Sequence, residues 1–469
     1  MNSKTCSGMS FSECELAILR SAVDTAEIQH GEEMVNTPRI KKILEIVEKF
    51  IKDKKLLVYG GTAINNILPQ ASQFYDTKTE IPDYDFYSPN ALEDAKELSD
   101  IYAKKGFNEV EAKGGIHHGT YKVFVDFIPV ADITQMQPEL FKSLNKHSVV
   151  KNNIRYSPPN FLRMSMYLEL SRPKGDVGRW EKILKRLTLL NKHYPLSAKY
   201  CFNDNYQRKM DYSHSTPHMT PKDGNNKSRE IYDIVLTELV RNNVVFFGGY
   251  AMMLYSKYMP TDARGKVNKI PDFDVIAEDS KKVAENVKIN LVSNGIKNVT
   301  IDKHTGVNEL ISDNYEIKVG ENTVAFIYSP VACHSYNVVD SAFGAIRVAT
   351  IDTMLSFYLA FLYIDRPYYD THRILCMSKY LFKLEEKNRL SQKGLLKRFS
   401  LSCLGHQPTL NEMRSIKAKK FSALKKSDPE YESWFLRYRP LSESDKKPIK
   451  KKPIKDNKTS KVRKNKTNK

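Results

Sequence analysis

The stretch LLVYGGTAINN at positions 56–66 returns as VVFFGGYAMML at 244–254, and IPDYDFYS at 81–88 returns as IPDFDVIA at 270–277. The offset is 188 from Gly60 to Gly248 and 189 from Asp83 to Asp272, from Ala95 to Ala284 and from Gly106 to Gly295. Further on, IPVA (128–131) answers to SPVA (329–332), and Ile154-Arg155 to Ile346-Arg347. Landmarks in one order, with an offset that drifts only from 188 to 201, mark a tandem duplication.

Each copy reads as the same mixture of helices and strands. Thr37 and Pro38 are an N-cap and a first-turn proline, after which Ile40, Ile43, Leu44, Val47, Phe50 and Ile51 share one helical face. Ser228 opens the corresponding helix of the second copy, followed by Ile231, Ile234, Val235 and Leu239. A short apolar strand then ends at a glycine pair in each copy, and a helical pattern continues beyond it. The D-x-D segment is extended and aromatic-rich, hence strand-like. Residues 91–105 and 280–292 are again helical, each closing near a glycine (Gly106, Gly295).

The expected fold class is α+β, a tandem duplication of one unit with a mixed sheet and flanking helices. The expected boundaries are an N-terminal extension at 1–36, a first unit at 37–200, a linker at 201–228, a second unit at 229–430 and a disordered basic tail at 440–469. The linker is polar and rich in His, Asn, Lys and Pro, and the tail has the composition of a disordered segment.

A strand, a Gly-Gly turn and a helix make an anion site. Glycine lets backbone approach phosphate oxygens, and the helix N-terminus supplies free N–H groups. Gly60, Gly61 and Thr62 occupy that turn. Asp83 and Asp85, two apart on a strand, project from one face. Converging carboxylates repel unless cations lie between them, and Mg²⁺ favours one or two carboxylates completed by phosphates. The third element is Asp126, in the otherwise apolar run YKVFVDFIPVAD. Taken singly, Asp126 could equally cap a turn or pair with an arginine.

The 469 residues carry 74 Lys and Arg against 55 Asp and Glu, a net charge of +19. Between Lys446 and Lys469 stand 12 basic residues and one acid, so +11 sits in the last 24 positions. An excess of this kind favours a polyanionic partner. Hydrophobic residues at 41% and charged residues at 28% exclude collagen, a wholly disordered chain and a repeat solenoid. The N-terminus has no apolar signal-peptide core, and the longest apolar run, Met354 to Ile364, is too short to cross a membrane. It reads as a buried core helix. The six cysteines are scattered without a CxxC, so neither a disulfide framework nor a zinc site is expected and an intracellular, reducing setting fits.

This constellation resembles the nucleotidyltransferase superfamily that includes DNA polymerase β. The form LVYGGTAINN…PDYDFYSPNALEDAKELSDIYAKKGF…VDFIPVAD is similar to the poly(A) polymerase catalytic subunits of large cytoplasmic DNA viruses, of pox-, asfar- and mimivirus type. The likeness is best over 40–190 and extends through the second copy to about residue 430. With about 36 residues ahead of the catalytic unit, the chain is closer to the giant-virus form. The resemblance implies two Mg²⁺ (or Mn²⁺) ions held by Asp83 and Asp85, with Asp126 on the ion that activates the RNA 3′-hydroxyl. It places Gly60, Gly61 and Thr62 on the triphosphate of the substrate ATP. The implied reaction is template-independent addition of AMP to mRNA 3′ ends, with single-stranded RNA as acceptor. It further implies a homodimer, or a viral processivity or cap-methyltransferase partner, and work in the host cytoplasm or viral factory, with the virion as a further location.

The second copy keeps Gly248-Gly249 and the Asp272/Asp274 pair. Registering SPVA on IPVA sets Ile327 opposite Asp126, so this copy lacks a third carboxylate and is expected to be catalytically inactive. His117-His118 reads as a loop pair, because adjacent side chains diverge. Lys182, Lys185 and Arg186 cluster on a helix after the first copy, where a cation could reach the triphosphate or face solvent. Rival readings are a CCA-adding, uridylyl-adding or small-molecule nucleotidyltransferase, and a non-catalytic RNA-binding scaffold. The intact Asp83/Asp85/Asp126 set speaks against the scaffold, and the basic charge against a small-molecule acceptor.

Overall fold

The computed structural model describes residues 6–76, 78–201, 207–208, 210, 221–259, 264, 267, 270–307, 310–388 and 390–440. The basic tail beyond residue 440 and most of the expected linker lie outside the described residues. In the first copy the order is α1 (Phe11–Val35), α2 (Pro38–Lys54), β1 (Leu57–Val58), α3 (Gly60–Ile67), β2 (Tyr84–Ser88), α4 (Ala91–Lys104), β3 (Val110–Gly114), β4 (Thr120–Val125) and β5 (Ile128–Gln135). It continues with α5 (Pro138–Lys146), β6 (Val149–Lys151), β7 (Ile154–Tyr156), α6 (Pro159–Leu170) and α7 (Trp180–His193). The second copy runs α8 (Pro221–Arg241), β8 (Val245–Phe247), α9 (Gly248–Tyr255), β9 (Phe273–Ile276), α10 (Ser280–Ser293), β10 (Val299–His304), β11 (Asn314–Val319) and β12 (Asn322–Tyr328). Then come β13 (His334–Ser341), β14 (Gly344–Ala349), α11 (Ile351–Phe361), α12 (Thr371–Asn388), β15 (Cys403–Leu404), α13 (Leu410–Ala423), α14 (Pro429–Phe435) and β16 (Arg437–Tyr438).

Two eight-stranded mixed sheets result, ordered β16-β3-β4-β5-β2-β1-β7-β6 and β10-β11-β12-β9-β8-β14-β13-β15. Without the added edge strands β16 and β15 the two orders are the same. So are the directions: β1 lies parallel to β7 as β8 does to β14, and β2 parallel to β5 as β9 does to β12. The repeated sequence therefore folds as a repeated α+β unit.

Local chemistry explains the elements. The Thr37 hydroxyl accepts from the Ile40 N–H at 3.3 Å, and α2 buries Ile40, Ile43, Val47, Phe50 and Ile51. Gly106 and Gly295 follow α4 and α10 with φ of +90° and +80°, the left-handed conformation that ends a helix. The apolar run at 354–364 falls largely in α11, every residue of which is buried, packed against α6 and α12. Each large side chain fully buried there stabilises the fold by ~1.5–3 kcal/mol. No helix among the described residues is long and apolar enough to cross a membrane.

Three expectations are corrected. The helix of the second copy begins at Pro221, and Ser228 lies buried inside it rather than at its cap. The six cysteines form three disulfides, Cys6–Cys14, Cys201–Cys376 and Cys333–Cys403. Spacing along the chain conceals these pairs, because two of them join residues 175 and 70 positions apart. Lastly, the chain does not stay with the second unit after residue 410. It crosses back, and β16 pairs antiparallel with the edge strand β3 of the first sheet.

Candidate active site

Strand β1 runs straight into a turn at Gly60, whose φ of +70° favours glycine. A Cβ there would stand 2.7 Å from the Asp85 carboxylate, and one at Gly61 would stand 3.0 Å from the Arg186 guanidinium. Both glycines thus leave room between α3 and its neighbours. The Tyr59 N–H donates to the Asp85 carbonyl at 2.9 Å, and the Thr62 hydroxyl donates to the Asp83 carbonyl at 2.7 Å. Thr62 is buried, and in this position it fastens the glycine turn to the D-x-D segment.

Asp83 and Asp85 lie at and just inside the start of β2. In the parallel pairing of β2 with β5, Asp85 sits directly opposite Asp132. Burial, then the charges of Asp83 and Asp132, push the Asp85 carboxyl up to about 7, against the opposing pull of Lys122 and Arg179. Asp83 is raised by burial and by Asp132. Lys122, opposite Asp132 on β4, forms an ion pair with it. Even so, Asp132 Oδ1 is buried with no hydrogen-bond partner. Among the described residues no three His, Cys, Asp or Glu side chains are drawn together tightly enough to form a ready-made metal centre.

Asp126 is not brought to this cluster. It occupies the two-residue hairpin turn between β4 and β5, with φ of +51°, followed by Phe127 at +66°. Its carboxylate pairs with Arg39 at the start of α2. Four strand residues, ~13 Å, separate the first residue of β5 from Asp132. Asp132 closes the same run, VDFIPVAD, and its signal was the one read for Asp126: a lone acid in an apolar strand.

Arg186, from the basic helix, is buried against the glycine turn. It donates to the Tyr75 hydroxyl at 2.7 Å, and its guanidinium lies 4.8 Å from the Phe74 ring centroid. Lys185 points away and pairs with exposed Glu181. His118 sits in the β3–β4 connection and stacks on Trp434 with ring centroids 4.3 Å apart.

The second copy repeats the frame and changes its contents. Gly248 has φ of +69°, and Asp272 and Asp274 lead into β9 as Asp83 and Asp85 lead into β2. The residue opposite Asp274 is Phe326, not an acid, while Ile327 faces Val275. This pairing makes Phe326 the counterpart of Asp132, an offset of 194 against the 201 read in the sequence, and the third carboxylate is absent in either. In addition, Arg208 from the expected linker pairs with Asp272 at 2.5 Å and with Asp274 at 2.9 Å, its guanidinium 4.5 Å from the Phe326 ring centroid. Gln207 donates to the Gly249 carbonyl at 2.6 Å. Arg208 therefore supplies an internal countercharge where the second carboxylate pair stands.

The family model for the poly(A) polymerase catalytic subunit matches residues 45–176, which hold all of Asp83, Asp85 and Asp132. An African swine fever virus (strain Badajoz 1971 Vero-adapted) protein bearing the name of that subunit is 36% identical over 167 residues, 34% of this chain and 35% of the relative. The Acanthamoeba polyphaga mimivirus protein of the same name is 33% identical over 183 residues, 38% of this chain and 31% of the relative. The chain thus matches about a third of the length of these curated relatives. The crystal structure of the Megavirus polyadenylate synthase superposes with a TM-score of 0.74 at 20% identity, covering 90% of this chain and 84% of that one. Residues 45–176 are therefore similar to the poly(A) polymerase catalytic-subunit family, within a chain whose fold is like that of the Megavirus polyadenylate synthase.

Proposed function

We propose that this chain is a polynucleotide adenylyltransferase that adds AMP from ATP, without a template, to the 3′ ends of single-stranded RNA. The observation that carries this reading is the pairing of Asp85 with Asp132 across β2 and β5, beside Asp83 and in front of the Gly60 turn. In this reading the third carboxylate is Asp132, and Asp126 has no catalytic part. Homodimer formation and work in the host cytoplasm or viral factory go with the proposal.

The residues present suit divalent cations such as Mg²⁺ or Mn²⁺. The donors are hard carboxylate oxygens, one oxygen of Asp132 is buried without a partner, and mutual repulsion with burial raises Asp85. Asp83, Asp85 and Asp132 would hold two ions. When bound, these would supply the charge that activates the 3′-oxygen and balances the departing pyrophosphate. The protein does the rest by positioning. Gly60 and Gly61 open the backbone N–H groups at the start of α3 to the triphosphate. Arg186, held over Gly61 by Tyr75, adds a fixed positive charge to that cradle. Thr62, bound to the Asp83 carbonyl, keeps cradle and carboxylates in one register. The reaction joins the RNA 3′-oxygen to the α-phosphorus and breaks the bond to pyrophosphate. The second copy, with Phe326 in the third position and Arg208 on its aspartates, is proposed to be silent.

The test is primer extension. The full chain, a short single-stranded RNA and Mg²⁺ or Mn²⁺ are incubated with each of the four NTPs, alongside Asp85→Ala and Asp272→Ala. Long products with ATP alone, lost in Asp85→Ala and kept in Asp272→Ala, are expected. Extension with UTP or CTP instead would make this a different tailing enzyme. No extension with any nucleotide would overturn the proposal.

A further inference from the structure

One rung of the first sheet runs without interruption from the carboxylates to the outer edge. Asp85 is opposite Asp132, Asp132 opposite Lys122, Lys122 opposite Lys113, and Lys113 opposite Arg437. Directly paired residues project from one face, so three cations in a row lead away from the acidic site on its own face. The other face of the same strands is closed: Ala112, Val123, Ala131 and Phe86 are all buried. Lys113 and Lys122 keep about two fifths of their side chains exposed, and Arg437 is exposed.

Such a row works against the fold, since like charges directly opposite are destabilising. Intramolecular partners offset it incompletely. Lys122 pairs with Asp132, Lys113 with Glu111 at 2.5 Å, and Arg439 stands 3.7 Å from the same Glu111. Among the described residues Arg437 has no carboxylate partner in an ion pair.

The duplicate provides an internal comparison. The equivalent rung of the second sheet reads Asp274, Phe326, Glu316, Asp302. Where the first copy has Lys122 and Lys113, the second has two acids. The backbone therefore does not require cations at these positions. They occur in the copy that keeps all three carboxylates, and the charge is reversed in the copy that does not.

Resting on the proposed polyadenylation activity, we propose that Lys113 and Arg437 are phosphate contacts that guide the single-stranded RNA acceptor across the open face of the first sheet, its 3′ end directed at Asp85 and Asp132. Four strand spacings, ~19 Å, lie between Asp85 and the outer strand β16. The third cation of the row, Lys122, holds Asp132 and belongs to the site. Strand β16 comes from the far end of the chain, and the sequence after it carries +11 over Lys446–Lys469. The return of the chain to the first sheet thus brings Arg437 to the acceptor side of the site. Cations so placed release counterions from RNA, which makes their contribution readable as a dependence on salt.

The experiment measures binding of the full chain to a fluorescently labelled single-stranded RNA by anisotropy, across a range of salt and without ATP. Lys113→Gln/Arg437→Gln is compared with wild type and with Lys281→Gln/Lys282→Gln, a charge-matched control at two exposed positions of α10. The row variant should lower the slope of log affinity against log salt by ~1.4, about 0.7 for each phosphate released, while the control keeps the wild-type slope. Lys113→Gln alone, which leaves β16 intact, should show half that change, so loss of the edge strand cannot imitate the result. A row variant with the wild-type slope would overturn this inference while leaving the polyadenylation reading in place. A wild-type chain that extends no primer and binds no RNA would remove both.

Discussion

Gly60 has room for a hydrogen and little else. At φ +70° any L side chain is strained by ~1–2 kcal/mol, and its Cβ would stand 2.7 Å from the Asp85 carboxylate. Gly60→Ala is expected to lower stability by about that amount in a denaturant melt and to cut primer extension at least ~10-fold through displacement of Asp85. The two candidate third carboxylates separate as sharply. Asp132→Asn should reduce extension by ~100-fold or more, whereas Asp126→Asn should leave the rate near wild type and cost under ~1 kcal/mol, the worth of an exposed ion pair with Arg39. Measured extension rates for the two variants decide between them. The sequence singles out Asp126 in the run VDFIPVAD, whereas the structure sets Asp126 in a turn and Asp132 opposite Asp85. The cause is the turn: Asp126 and Phe127 both take positive φ in a two-residue hairpin loop that usually announces itself by Asn-Gly or Asp-Gly. With Phe in the second place the run looks like one uninterrupted strand.

Elements show where repetition was informative and where it failed. The recurrence of Gly-Gly, D-x-D and Gly106/Gly295 along the chain foretold two units, and their strand orders agree. The segment around Arg208 was invisible, since a polar stretch gives no sign that one of its arginines enters a carboxylate pair from another element. Loss of Arg208 leaves Asp272 and Asp274, both largely buried, with only the nearby charge of Arg373 to oppose them. Arg208→Met should therefore destabilise the chain by ~3 kcal/mol, and the further changes Asp272→Asn/Asp274→Asn should restore most of that, a coupling readable by double-mutant analysis of melts. Strand β13 carries a second buried titratable group. Neither ring nitrogen of His334 has a hydrogen-bond partner, and burial, aided by the charge of Arg172, pushes its pKa down to about 3. The folded protein thus keeps this ring neutral, whereas the unfolded chain binds a proton below ~6.5. Its contribution is constant above that pH and becomes destabilising as pH falls toward 3. Between pH 7 and 5 the wild type should lose ~2 kcal/mol more than His334→Leu, measured by urea unfolding at each pH. Equal losses would show that His334 meets a partner that neutralises this penalty.

At the scale of the whole molecule the chain makes a loop, from the first unit through the second and back to the first. The return is held at several points. The Tyr438 hydroxyl donates to Asp100 at 2.7 Å, Lys96 pairs with Glu432 at 2.9 Å, and the Lys417 ammonium donates to the carbonyls of Gly114 and Gly115 at 3.2 and 2.7 Å. Singly, exposed pairs of this sort contribute ~0–1 kcal/mol. Together with the β16–β3 pairing they cover an edge strand that would otherwise present unpaired backbone groups. The second unit is joined to the first through α6 against α11 and through the Ser335 N–H, which donates to the Ser171 carbonyl at 2.9 Å. Release of the return segment therefore exposes the first sheet while the second unit still grips it, so the parts are expected to unfold as one cooperative system. The chain offers a reporter, because it has only two tryptophans, Trp180 and Trp434. In Trp180→Phe the remaining indole lies in α14, stacked on His118 of the first sheet's β3–β4 connection. Its fluorescence reads closure of the loop, while far-UV circular dichroism reads both units. Coincident urea midpoints for the two signals are expected. A fluorescence transition at lower urea, ahead of the loss of ellipticity, would mean that residues 410–440 detach as a separate unit and that β3 is covered only part of the time.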